Sequence, residues 1–239
     1  MNLSRRATPL FLIAMLAISG AILPARAAAP VATEFPAAKD IEPPPNMSAA
    51  AKGRWEERLA QLAANANPAG VVNDLGALPV IERAFTPLDE GVEKLEQARD
   101  SLPTHLRTSW IIPADVSAGP LGHCDLRFTT PSGAEADARL TGLIRVYRCP
   151  AQGTVVLTES LLRKGGMVNL VPVERVNVRM SAGGIPRGVV ASRLARPQGG
   201  PEMTVVNWRS GDKLLTLQVA GTQAPALDFV KRALDGIPD

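Results

Sequence analysis

The rhythm of apolar and polar positions changes along the chain, and each change predicts a different kind of segment. Arg5 and Arg6 open it, and residues 10–23 follow as an almost unbroken apolar run. A proline-rich stretch comes next, with Pro30, Pro36, Pro43, Pro44 and Pro45 and little apolar periodicity. After Ser48, Trp55, Leu59 and Leu62 fall at i, i+4 and i+7, the spacing of one helix face. Asn65, Asn67 and Pro68 end that helix. A second is predicted from Thr86 as its cap and Pro87 as its first residue, with Leu88, Val92 and Leu95 on its apolar face and an end near Ser101.

From about Leu106 the spacing becomes strand-like. Candidate strands are 107–112, 124–130, 137–148, 153–161, 167–179, 187–195, 202–209 and 213–220. Turn chemistry separates them at Pro131-Ser132-Gly133, 150–153, Gly165-Gly166, Gly183-Gly184, 199–201 and 210–212. Intervals this short suit antiparallel hairpins, because a parallel crossover needs a dozen or more residues. A last helix is predicted over 224–235, where Ala226, Phe229, Val230 and Ala233 share a face. The expected fold is α+β: a signal peptide over 1–27, a flexible leader over 28–47, a helical region over 48–105, and an antiparallel meander sheet over 106–239 with a packed C-terminal helix.

The first 27 residues read as a cleavable export signal. A basic start, an apolar centre and Ala25-Arg26-Ala27 stand in the order a signal peptidase requires. The apolar run is shorter than the roughly 20 residues that span a bilayer. No Cys stands near the cut to take a lipid, and no later stretch reaches membrane length. The expected location is periplasmic or secreted.

Export changes the meaning of the charge. The full chain has 26 Lys+Arg against 23 Asp+Glu. Arg5, Arg6 and Arg26 leave with the signal, so the mature chain carries 23 of each. The basic isoelectric point therefore points to no nucleic-acid partner. The charge is uneven: residues 28–105 hold 7 basic and 12 acidic side chains, and residues 106–239 hold 16 and 11. The cationic half suits an acidic envelope protein or an anionic envelope component. Aromatics are 4% of residues, few for a surface that reads sugars or bases by stacking.

Two cysteines, Cys124 and Cys149, form an even pair that an oxidising compartment joins as a disulfide. The competing reading is a thiol nucleophile at Cys124 served by His105, with Asp125 nearby. His123, its neighbour, would face away from it along a strand. Only these two histidines are present. The ligand-type residues His105, His123, Cys124 and Cys149 match no compact zinc spacing. Gly-x-Ser-x-Gly and Ser-x-x-Lys are missing, and Gly183-Gly184 is followed by no Lys-Ser/Thr that would make it a nucleotide loop. No metal or cofactor is expected. Arg139 and Arg145 share a face of one candidate strand, and Arg175 and Arg179 a face of another. These four are the candidate anion-binding residues.

The segment from Met203 through Trp208, Gly211, Thr216 and Val219 to Gly221, followed by a helix over 224–234, resembles the closing hairpin and helix of periplasmic regulatory domains that bind anti-sigma factors. In those domains a Trp-bearing strand turns through a Gly, an apolar strand returns, and a short helix covers the sheet. The resemblance spans about 35 residues and implies a non-enzymatic binding role. The expected function is an exported binding or regulatory protein of the cell envelope. The alternatives are a periplasmic enzyme using His105, His123 and Asp125, and a structural part of an envelope assembly.

Overall fold

In the computed structural model the described residues are 35–43, 47–64, 70–108, 111–136, 139–162, 173–182 and 185–237. The export signal, the Gly165-Gly166 and Gly183-Gly184 turns and part of the candidate strand 167–179 lie outside them. The fold is α+β. The helices are α1 (Ala49–Ala64), α2 (Leu88–Ser101) and α3 (Ala224–Asp235). The strands are β1 (Val80–Glu82), β2 (Asp125–Ala136), β3 (Arg139–Cys149), β4 (Gly153–Leu161), β5 (Val178–Ala182), β6 (Ile185–Ala195), β7 (Glu202–Ser210) and β8 (Lys213–Ala220). They form one sheet in the order β1-β6-β7-β8-β4-β3-β2, and β5 shares the outer edge of β6 with β1. The described strands pair antiparallel except β1 with β6, and Val72 adds a single parallel bridge to Val178 of β5.

The two-residue period of the strands divides the sheet into two faces. On the inner face, Tyr147, Val155, Leu157, Val206, Trp208, Leu215 and Leu217 pack beneath α3. That helix presents Ala226, Phe229, Val230, Ala233 and Leu234, the i, i+3, i+4, i+7 and i+8 spacing of a wide apolar stripe. Each Leu, Val or Phe buried there contributes about 1.5–3 kcal/mol. On the outer face, Val92 of α2 packs on Phe128, Val146 and Val156.

The structure revises the sequence reading at several points. None of the described residues of 107–112 lies in a strand: Leu106 N–H bonds to Pro103 O in a turn, and 111–116 runs outside the sheet. Pro103 and Pro113 lack the N–H groups a ladder needs. Pro131-Ser132-Gly133 is not a turn either. β2 runs through it to Ala136, with Gly133 at φ +86° and a register shift between Ser132 and Glu135. A bulge on an edge strand admits a proline there. The cap of α2 is Pro87 instead of Thr86. Val173–Arg175 is a 3₁₀ turn that precedes β5. Within the proline-rich leader, residues 35–43 are docked: Phe35 is buried against Val176, Val190 and Leu214, and Ala38 N–H donates to both Glu174 carboxylate oxygens. β1 adds a three-residue parallel strand to the region read as helical.

Candidate functional site

The site grows out of the β3–β4 hairpin. Its turn pairs Cys149 with Gly153, which sets Arg145 opposite Leu157 and Leu143 opposite Glu159. Arg145 and Glu159 are therefore diagonal neighbours on the inner face. β8 pairs from the other side, with Leu161 opposite Lys213 and Glu159 opposite Leu215. Glu159 is thus flanked by a cation on each neighbouring strand. Arg145 Nη2 donates to Glu159 Oε1 at 2.5 Å, and Lys213 Nζ donates to Oε2 at 3.0 Å. The Glu159 side chain is 0% exposed and that of Arg145 9%. Removing such charges from water costs several kcal/mol per ion, which close geometry and additional hydrogen bonds offset.

Those additional bonds go to a strap. Residues 111–119 cross the inner face, and Ala114 N–H donates to Glu159 Oε2 at 2.7 Å while Ala114 O accepts from Arg145 at 2.9 Å. Lys213 Nζ also donates to Ile112 O. Arg145 lies 5.9 Å from the Tyr147 ring, whose hydroxyl is pushed up in pKa by burial against the opposing pull of the guanidinium. Further along, Asp115 accepts from Ser117 N–H, a turn that lowers the pKa of its carboxyl. The strap then enters the 3₁₀ turn Pro120–His123 and is tied down at Cys124.

Beside it lies a cleft of about 560 Å³. Pro120, Pro150, Phe229 and the Cys124–Cys149 disulfide supply apolar walls, and His123, Arg232 and Asp235 are its ionisable lining residues. A mostly apolar concavity with a few convergent polar groups is the usual form of a binding site. The end of α3 that borders the cleft is fixed from below. Buried Arg187 on β6 donates to the carbonyls of Leu234 and Ile237. Arg193 similarly donates to Gly76, Leu78 and Thr222 carbonyls, joining the loop before β1 to the start of α3.

Cys124 and Cys149 are joined, as their number suggested, across 25 residues of sequence. The Cys124 sulfur is thereby bonded, and the thiol reading falls away. His123 reaches the cleft; His105 lies in the exposed turn after α2 and does not line it. Asp125 starts β2 opposite Arg148 and is exposed. The four arginines read as an anion-binding face are not assembled into one. Arg145 is buried in its ion pair, whereas Arg139 is exposed at the far end of β3. Arg175 sits in a 3₁₀ turn and Arg179 on β5, five strand spacings or about 24 Å from β3. Glu159, Lys213, Arg187, Arg193 and Arg232 were not singled out from sequence. For Glu159 a signal existed: it is the lone charged residue of a strand hairpinned to the strand of Arg145. Among the described residues no three His, Cys, Asp or Glu side chains come together to share a metal ion, and no helix is long and apolar enough to cross a membrane. No family model, curated protein or solved structure matches the chain.

Proposed function

We propose that the mature chain is an exported, non-catalytic binding or regulatory protein of the cell envelope, and that it engages its partner through the cleft beside the disulfide. The observation that carries this reading is the composition of the cleft: proline, phenylalanine and disulfide walls with His123, Arg232 and Asp235 around them. Such a lining suits an apolar group carrying a polar or anionic neighbour. The disulfide supports an oxidising location. The resemblance of 203–235 to domains that bind anti-sigma factors points the same way. The described counterpart is β7, the Gly211 turn, β8 and α3 laid over the sheet.

The test is in-cell photocrosslinking from two exposed positions followed by mass spectrometry. Ala151 is at the cleft, and Lys94 stands on α2 across the sheet. A specific envelope protein captured from position 151 and not from 94 supports the reading. Turnover of an envelope substrate by the purified mature protein, lost in His123→Ala at unchanged melting temperature, overturns it.

A further inference from the structure

The buried triad of Arg145, Glu159 and Lys213 holds the strap in an unusual way. It recognises the peptide groups of the strap from both sides: Glu159 accepts an N–H, while Arg145 and Lys213 donate to two carbonyls. The side chains contribute less. Ile112 is 86% exposed, and only the small Ala114 and Val116 tuck against the core. Apolar residues at the three sheet positions would leave the fold about as stable as a buried ion cluster does. Three charged groups aimed at main-chain atoms instead make a receptor for an extended backbone.

A second observation shows that the strap does not saturate this receptor. Among the described residues the buried Arg145 Nε has no hydrogen-bond partner, as is also true of Nε in Arg193. A buried, unpaired N–H costs about 1–3 kcal/mol. The strap therefore satisfies the Arg145 guanidinium at Nη2 and leaves Nε unused. The disulfide ties the chain down just after the C-terminal end of the strap, at Cys124. The distal part of the strap, Ala118 and Gly119, lines one wall of the cleft.

We infer that the triad is a peptide-backbone binding site and that residues 111–119 occupy it as an internal stand-in for an extended segment of the partner protein. Displacing the strap would free the triad and open one wall of the cleft in the same movement. The inference rests on the binding role proposed above and names the form of the partner. If crosslinking from position 151 succeeds and the following test fails, the partner binds without moving the strap.

The probe is a fluorescein-labelled peptide of residues 111–119. The host is the mature chain carrying Ala114→Pro, which removes the N–H that Glu159 accepts and so releases the strap. Fluorescence anisotropy should show at least tenfold tighter binding to Ala114→Pro than to wild type. Adding Lys213→Met should weaken that binding at least tenfold, and a peptide with Pro at the 114 position should fail to bind. A folded Ala114→Pro protein that ignores the peptide, or a wild type that binds it equally well, overturns the inference. If Ala114→Pro does not fold, native-state hydrogen exchange of the wild type decides. The Ala114 amide should exchange by local opening, at least tenfold faster than the Leu157 amide in the sheet centre. Equal rates would mean that the strap leaves only on global unfolding, and the stand-in role would be excluded.

Discussion

Gly119 of the strap and Gly236 at the end of α3 meet backbone against backbone. A Cβ on Gly119 would lie 3.2 Å from Gly236 Cα, and a Cβ on Gly236 would collide with the main chain of Ala118 and Gly119. Neither glycine has a positive φ, so their value here is space, not conformational freedom. The strap seats because Gly236 lacks a side chain, and at Gly119 a Cβ would fit only tightly.

Gly236→Ala should therefore destabilise the protein by about 1–3 kcal/mol through overpacking. Gly53→Ala is the contrast. Gly53 lies in α1 with nothing within 4 Å of its would-be Cβ, and the change should stabilise by about 0.5–1 kcal/mol. Urea unfolding of both variants measures the difference in sign.

Glu159→Ala should cost about 3–5 kcal/mol, because it leaves Arg145 and Lys213 without their shared counter-ion. Replacing all three residues together, as Arg145→Met, Glu159→Leu and Lys213→Met, should return stability to within about 1 kcal/mol of wild type. The triple variant should still fold while the Ala114 amide loses its protection. A triple variant as unstable as Glu159→Ala would show that the ion cluster, and not its removal from water, governs the fold.

Reduction of the disulfide should lower stability by about 3–4 kcal/mol for a loop of this length. Cys124→Ser and Cys149→Ser should each reproduce that loss, and the double variant should add little to either. His123→Ala should change stability by about 0.5 kcal/mol or less. Unequal losses from the two serine variants, read by thermal melts, would point to a further role for one of the sulfurs.

Asp74 accepts from Gly76 N–H and pairs with Lys231 of α3, and these contacts hold its carboxyl below the ordinary 3.8. A depressed carboxylate stabilises the folded state fully above its unfolded value. That contribution fades as pH falls through the lower folded value. Asp74→Ala should cost about 0.5–1 kcal/mol at pH 7, the worth of an exposed cap and ion pair. The gap between the two proteins should narrow as pH drops below 3.8, followed by chemical denaturation across acid pH.

The hairpins β3–β4 and β7–β8 were legible because alternation and turn residues fix register locally. In both cases the sequence bounds fall within one residue of the observed pairing at the turn. β1 was not legible: three residues give no period, and its parallel partner β6 lies more than a hundred residues away. Pro131 and Gly133 were read as a turn because a bulge and a turn use the same residues. The arginines misled for a related reason. Face parity placed Arg145 with Arg139, but parity carries no information on burial, and burial turned Arg145 from a surface cation into half of an ion pair. The cleft itself could not be read, since its walls come from the strap, the β3–β4 turn and α3, segments joined only by the fold.

The docking of Phe35 against Val176, Val190 and Leu214, and the grip of Arg187 on the Leu234 and Ile237 carbonyls, also set an order in time. A chain delivered from its N-terminus cannot close either contact early. Phe35 waits for residue 214, and Arg187 waits for residue 237. Until that last stretch arrives, the part of the inner face that α3 covers stands open, with Trp208 and its neighbours exposed to whatever else is nearby. The interval between first and last contact is therefore when this protein is most vulnerable to misassembly, and a chaperone that shields apolar sheet surface would act on it then.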